Sequence, residues 1–247
     1  MKRKLIYRPA QRARALVGLR RSPQSDLSLA TLLAFVAGAL NAGGFFALGQ
    51  YTSHMTGYLS QLADNLVILN FRIAFVAALA ISSFVAGAGF STILINWTRR
   101  YRARQQYALP LALQGIFLVC FAGGGIFASE AGRLFSLACL CFIMGMQNAT
   151  ITKISRARIR TTHATGMITD IGIELGRGIY GAIMHDATIF RDTRNLMILV
   201  RLVLSFLLGG IIGALGFGHM RFLFALPLAS LLLVVSLPAL FRQTWWR

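Results

Sequence analysis

The segment Thr52-Ser-His-Met-Thr-Gly57 returns later as Thr161-Thr-His-Ala-Thr-Gly166, and the likeness extends well beyond these positions. Phe35, Gly38, Asn41 and Ala42 recur as Phe142, Gly145, Asn148 and Ala149, and past a two-residue insertion Leu66 recurs as Leu175. A match spaced by about half the chain calls for two structurally related halves, whatever the fold.

Composition then sets the solvent. Of 247 residues 56% are hydrophobic and only 13% charged, with a mean hydropathy of +0.66. So few charges cannot cover a soluble fold this apolar. Several apolar runs approach or exceed the ~20 residues that cross a bilayer core, which predicts an all-α polytopic membrane protein. The charge is lopsided, 25 Lys+Arg against 7 Asp+Glu. Because the basic residues cluster between apolar runs, the positive-inside rule accounts for them. The aromatic–basic interleaving of a nucleic-acid module is absent, so no nucleic-acid partner is expected. Cys120, Cys139 and Cys141 lie in apolar runs and read as packing residues. No zincin, hydrolase, dinucleotide or P-loop motif occurs; no cofactor, metal or catalytic residue is expected.

The apolar runs fall at about 29–49, 73–97, 109–128, 134–151, 196–217 and 222–240, the last two joined by a tight Gly218-His-Met turn. Each motif follows the first span of its half and leads into an amphipathic stretch, to about Asn70 and Met184. The expected architecture is six transmembrane helices as two three-helix repeats, 29–128 and 134–241. Each repeat carries an extra short amphipathic or re-entrant helix. An odd number of spans per repeat makes the two halves inverted, an arrangement common among transporters. Residues 1–28 form a basic tail, and every basic cluster falls on one side if both termini are cytoplasmic.

Thr52 or Ser53, and Thr161 or Thr162, suit helix N-caps. On the helices they would start, His54, Gln61 and Asn65 share one stripe, and His163, Asp170 and Glu174 share the matching stripe. Ionisable groups at membrane depth cost about 2.5–3.5 kcal/mol and mark pathways, while inserted helix N-termini suit anions. The pathway candidates in the first half are therefore Asn41, Thr52, His54, Thr56, Gly57, Gln61 and Asn65. Those in the second half are Asn148, Thr161, His163, Thr165, Gly166, Asp170 and Glu174, with Arg201 inside the fifth span. Asn41 and Asn148 are expected to bond between helices. The competing reading lays both amphipathic helices in the interface with their polar stripes in water.

Gly38-Ala-Leu-Asn-Ala-Gly-Gly44, the two motifs, Gly145-Met-Gln-Asn-Ala149 and Thr169-Asp-Ile-Gly-Ile-Glu-Leu-Gly-Arg177 together resemble the YoaK family of bacterial integral membrane proteins. The resemblance implies a multi-pass inner-membrane protein and supplies no substrate. The expected function is a small transporter or channel-like protein with its site between the two motif helices. Its partners would be the lipid bilayer and a small polar or anionic substrate or ion, and a homo-oligomer is compatible. Two alternatives stand beside it. One is a membrane-embedded enzyme using His163 with Asp170 or Glu174 in acid–base roles; the other is a non-catalytic scaffold or sensor.

Overall fold

A computed structural model describes residues 16–17, 22–124, 129–154, 164–184 and 191–241, and among these every regular element is helical. The α-helices are α1 (Pro23–Leu48), α2 (Met55–Val67), α3 (Phe71–Tyr101), α4 (Ala108–Gly124), α5 (Glu130–Ile154), α6 (Ala164–Met184), α7 (Thr193–Met220) and α8 (Ala225–Leu240). Four stretches are long and apolar enough to cross a membrane: Pro23–Leu48, Phe71–Tyr101, Glu130–Ile154 and Thr193–Leu240. The last is two helices, because the chain turns at Arg221 (φ 48°) and passes through the short 3-10 turn Arg221–Phe224. α7 thus runs through Gly218 to Met220, and the reversal comes one residue after the Gly218-His-Met segment expected to make it.

Local chemistry sets the ends. Ser22 caps α1 by accepting the Ser25 N–H at 3.1 Å, with Pro23 opening the helix; Gly49 (φ 72°) closes it in the left-handed conformation. Asn70 caps α3 and Asp192 caps α7, each accepting the N–H three residues on.

Two close helix pairs form the frame. Gly38 of α1 lies against the Phe206 carbonyl of α7, and Gly209 of α7 lies against the Phe35 carbonyl of α1. Gly87 of α3 meets the Phe142 carbonyl of α5, and Gly145 of α5 meets the Phe84 carbonyl of α3. At all four positions an added Cβ would overlap a backbone oxygen, so only glycine permits this approach. Each pair is built from the same F-x-x-G tetrapeptide on both helices, and α1 carries the copy recurring in α5, whereas its partner is α7.

Contacts in register fix the directions. Thr31 meets Ser205, Gly38 meets Phe206 and Gly43 meets Phe217, so α1 and α7 run parallel. Arg72 meets Glu130 and Ser91 meets Thr150, so α3 and α5 also run parallel. Gln147 Nε2 donates to the Leu33 carbonyl at 2.6 Å and Arg133 to that of Leu48 at 3.3 Å, so α1 and α5 are antiparallel. Gln105 at Leu240 and Phe121 at Phe222 make α4 and α8 antiparallel. One end of the bundle therefore gathers Pro23, Tyr101, Ile154 and Thr193, and the other gathers Leu48, Phe71, Glu130 and Met220. The core is rich in Ala, Leu and Met, while large apolar side chains such as Phe75, Ile93, Leu207 and Ile211 face outward. That pattern fits a hydrocarbon solvent.

Candidate functional site: a basic cavity and two motif segments

After Gly49 the chain folds back along α1. Thr52 is fully buried and its hydroxyl donates to the Leu40 carbonyl at 3.4 Å. Asn41 Oδ1 accepts both the Ser53 N–H at 3.0 Å and the Ser53 hydroxyl at 2.9 Å. Since Asn41 lies seven residues before Leu48, the motif returns roughly 10 Å along α1 at 1.5 Å per residue. Asn41 thus anchors its own motif loop instead of bonding between long helices. Gly44 makes room for this return, because a Cβ there would meet the Thr52 methyl.

Neither Thr52 nor Ser53 caps α2, as the sequence led us to expect. The N-cap is His54 (φ −90°, ψ 63°), which makes no side-chain capping bond. Both Thr52 and Ser53 are instead committed to α1. The exposed His54 ring lies over Gly57, where a Cβ would strike it, and stands edge-on to Tyr51. Thr56 is exposed. The Gln61 carbonyl accepts from Asn65 Nδ2 at 2.7 Å, while Gln61 Oε1 is buried without a partner. Tyr58, which the sequence reading passed over, is only 3% exposed and its hydroxyl is also unpartnered. Burial, and secondarily the nearby Cys141 thiol, push that hydroxyl's pKa above its ordinary value.

Thr161 and His163 lie outside the described residues. Thr165, Gly166 and Asp170 are exposed on α6, and none of the described residues approaches the Cβ position of Gly166. Glu174 is 4% exposed: Oε2 accepts the Asp192 N–H at 2.8 Å, and Oε1 pairs with Arg177 at 3.1 Å. It pins α6 to the start of α7. Asn148 is half-buried on α5. Among the described residues α2 packs on α3 at one end of the bundle and α6 on α7 at the other.

A large void lies elsewhere. A cavity of about 1770 Å³ opens between the first turns of α1, the ends of α3 and α5, and the first half of α7. Arg99, Lys153, Arg194 and Arg201 line it, and Asp26 is the carboxylate among the described residues of its walls. Leu208, its deepest contributor on α7, lies fifteen residues past Thr193, or roughly 22 Å into the bundle. Among the described residues, Arg201 is the one candidate from the sequence found there. It forms no hydrogen bond or ion pair among the described residues.

The family described as "Protein of unknown function (DUF1275)" matches residues 29–237. The chain belongs to that family. The match covers both F-x-x-G helix pairs, both motifs and the cavity wall apart from the first turn of α1. No curated protein and no solved structure matches the chain.

The opposite end differs in chemistry from the cavity end. Arg72 precedes its F-x-x-G segment by the same number of residues as Arg194 precedes its own, and the same relation links Glu130 to Pro23. Arg72 and Glu130 form an ion pair, and Arg133 bonds the end of α1. At the cavity end the glutamate's place is taken by Pro23, and Arg194 has no partner among the described residues.

Proposed function

We propose that this DUF1275 member is a small transporter or channel-like protein of the bacterial inner membrane. In this reading α1, α3, α4, α5, α7 and α8 are six spans forming two inverted repeats, with both termini and the cavity on the cytoplasmic side. The observation that carries it is the basic cavity, which reaches roughly 22 Å from one end while an ion pair and a folded-back motif occupy the other. Such a void exceeds the ~300–1,000 Å³ of ordinary ligand pockets and suits a solute pathway. Support for the orientation comes from Arg99, Arg100, Arg102, Lys153 and Arg194, all near the cavity end. Support for the inverted repeats comes from the exchanged F-x-x-G pairs and the antiparallel course of α1 and α5.

The site is then the cavity with Arg201 at its wall. The motifs hold the helices around it: Thr52 and Asn41 fix one end, Glu174 the other. Flux is the direct test. Proteoliposomes would be assayed with phosphate, methanesulfonate, octanesulfonate and glycerol. At least one should cross tenfold faster than through protein-free vesicles. Its flux should fall when a cysteine at Ser205, on the cavity wall, is modified with a bulky thiol reagent. Protein-free rates for all four would defeat the transporter reading and leave the enzyme and scaffold alternatives in its place.

A further inference from the structure

The geometry points to an amphipathic anion as the ligand of this cavity, its charged head between Arg194 and Arg201 and its apolar chain along the outer face of α7. This rests on the cavity reading above and names the ligand class that the walls fit. Three observations converge on it.

The first is a missing carboxylate. Arg72 has Glu130 as its partner, whereas Arg194, at the matching position ahead of its own F-x-x-G segment, lines the open cavity together with Pro23. Neither Arg194 nor Arg201 has a hydrogen bond or ion pair among the described residues. A guanidinium without a partner, some two turns inside a membrane helix, is held at a cost that an anionic ligand would relieve. Arg presents a planar fork of donors that fits phosphate, sulfonate or carboxylate groups in pairs.

The second is the balance of charge. Among the described residues of the cavity wall, Arg99, Lys153, Arg194 and Arg201 stand against Asp26 alone. A cation or neutral sugar would meet a wall of the wrong kind.

The third is the apolar track. Met197, Val200, Leu204 and Leu208 recur at helical spacing on one face of α7, line the cavity and are exposed, Leu204 at 51% and Leu208 at 55%. Arg201 sits within this stripe, so head-group contact and chain contact lie on one helix face. A small inorganic anion would leave the track wet. A chain of several methylenes would cover it.

The test is equilibrium binding to the purified full-length protein in a neutral detergent, read as ligand-dependent protection against thermal unfolding. The probes are dioctanoyl phosphatidylglycerol, octanesulfonate, inorganic phosphate and dioctanoyl phosphatidylcholine. The anionic amphiphiles should bind at least tenfold tighter than phosphate or the zwitterionic lipid. Preference for the two-chain probe would mark a membrane lipid as the source, and preference for the one-chain probe a soluble amphiphile. R201Q and R194Q should each weaken binding at least tenfold. P23E, which supplies the carboxylate found in the other copy and suits a first helical turn, should compete with the ligand and weaken it too. R100Q removes a neighbouring charge that does not line the cavity and should leave binding unchanged.

Equal binding of phosphate and the amphiphiles would overturn the proposal, as would equal loss in R100Q and R201Q. Wild-type affinity in P23E would do the same even if the arginine variants failed to fold. Binding requires no transport, so tight binding without flux would remove the transporter reading alone. Flux with no preference among ligands would remove this inference alone.

Discussion

Glu174 Oε2 accepts the backbone N–H of Asp192 at 2.8 Å, and through that bond a buried carboxylate on α6 holds the first residues of α7. Asp192 in turn caps α7 by accepting the Asn195 N–H at 2.9 Å. Replacing Glu174 with Ala leaves the Asp192 N–H without its partner, and losses of this kind run to about 1–3 kcal/mol. Glu174→Gln keeps an acceptor for that N–H and gives up only the pair to the half-exposed Arg177, worth less than about 1 kcal/mol. Thermal unfolding in detergent should therefore rank wild type, then E174Q, then E174A. Equal losses in both variants would assign the effect to charge instead of to the backbone bond.

The caps of α3 and α7 differ in quality. Asn70 Oδ1 is 3.4 Å from the Ile73 N–H, whereas Asp192 Oδ1 is 2.9 Å from that of Asn195. Asp192→Ala should cost about 1–2 kcal/mol and Asn70→Ala about 0.5 kcal/mol, the two ends of the usual range for a lost cap. Unfolding midpoints that reverse this order would contradict the geometry.

Gly38, Gly87, Gly145 and Gly209 each sit where a methyl group would strike a carbonyl oxygen of the partner helix. Alanine at Gly145 forces α3 and α5 apart, and overpacking of this sort costs about 1–3 kcal/mol. Gly89 is two residues from Gly87 on the same helix and has open space where its Cβ would lie. Gly89→Ala should thus be silent or slightly stabilising, by up to about 1 kcal/mol of helix propensity. Comparing G145A with G89A in one unfolding assay separates interhelix contact from glycine content.

The sequence made the helices legible and left the site hidden, for physical reasons. Apolar runs and polar stripes at helical spacing locate α1 to α8, because hydrophobicity and period act locally. The sequence also carried two further repeats that point to the frame. F-x-x-G recurs at Phe84 and Phe206 as well as at Phe35 and Phe142, and Ala108-Leu-Pro-Leu-Ala112 recurs as Ala225-Leu-Pro-Leu-Ala229. The role of Thr52 and Ser53 was not readable: both are good capping residues, but Leu40 and Asn41, a turn of chain away in space, claim them first. The cavity was invisible for a similar reason. Its walls come from four helices, and only Arg201 stood out as a charge inside an apolar run.

The proposed sidedness rests on the basic clusters at one end of the bundle. In a background lacking Cys120, Cys139 and Cys141, a cysteine at Glu130 should react with a membrane-impermeant thiol reagent added to intact cells. One at Asn195, on the cavity wall, should react only after the membrane is opened. Labelling of both from the same side would overturn the proposed orientation.

Gln61 and Asp170 occupy matching places in the two motif segments, yet the folded chain treats them oppositely. Gln61 Oε1 is buried with no partner, while Asp170 stands exposed on α6. An unpaired buried acceptor is a standing cost, and an apolar side chain of similar length removes it. Gln61→Met should therefore leave stability unchanged or raise it slightly. Gln61→Glu places a carboxylate where no donor waits, and should destabilise the protein by roughly 2 kcal/mol or more at neutral pH, with the loss shrinking as acid neutralises the group. Asp170→Asn, at an exposed position, should change stability by less than about 0.5 kcal/mol. Measured beside flux, these variants divide the two roles cleanly. If Asp170 lies on the solute pathway, D170N will alter transport at unchanged unfolding temperature, whereas Q61E will lose both together. A Q61E protein as stable as wild type would mean that water or a donor reaches Gln61.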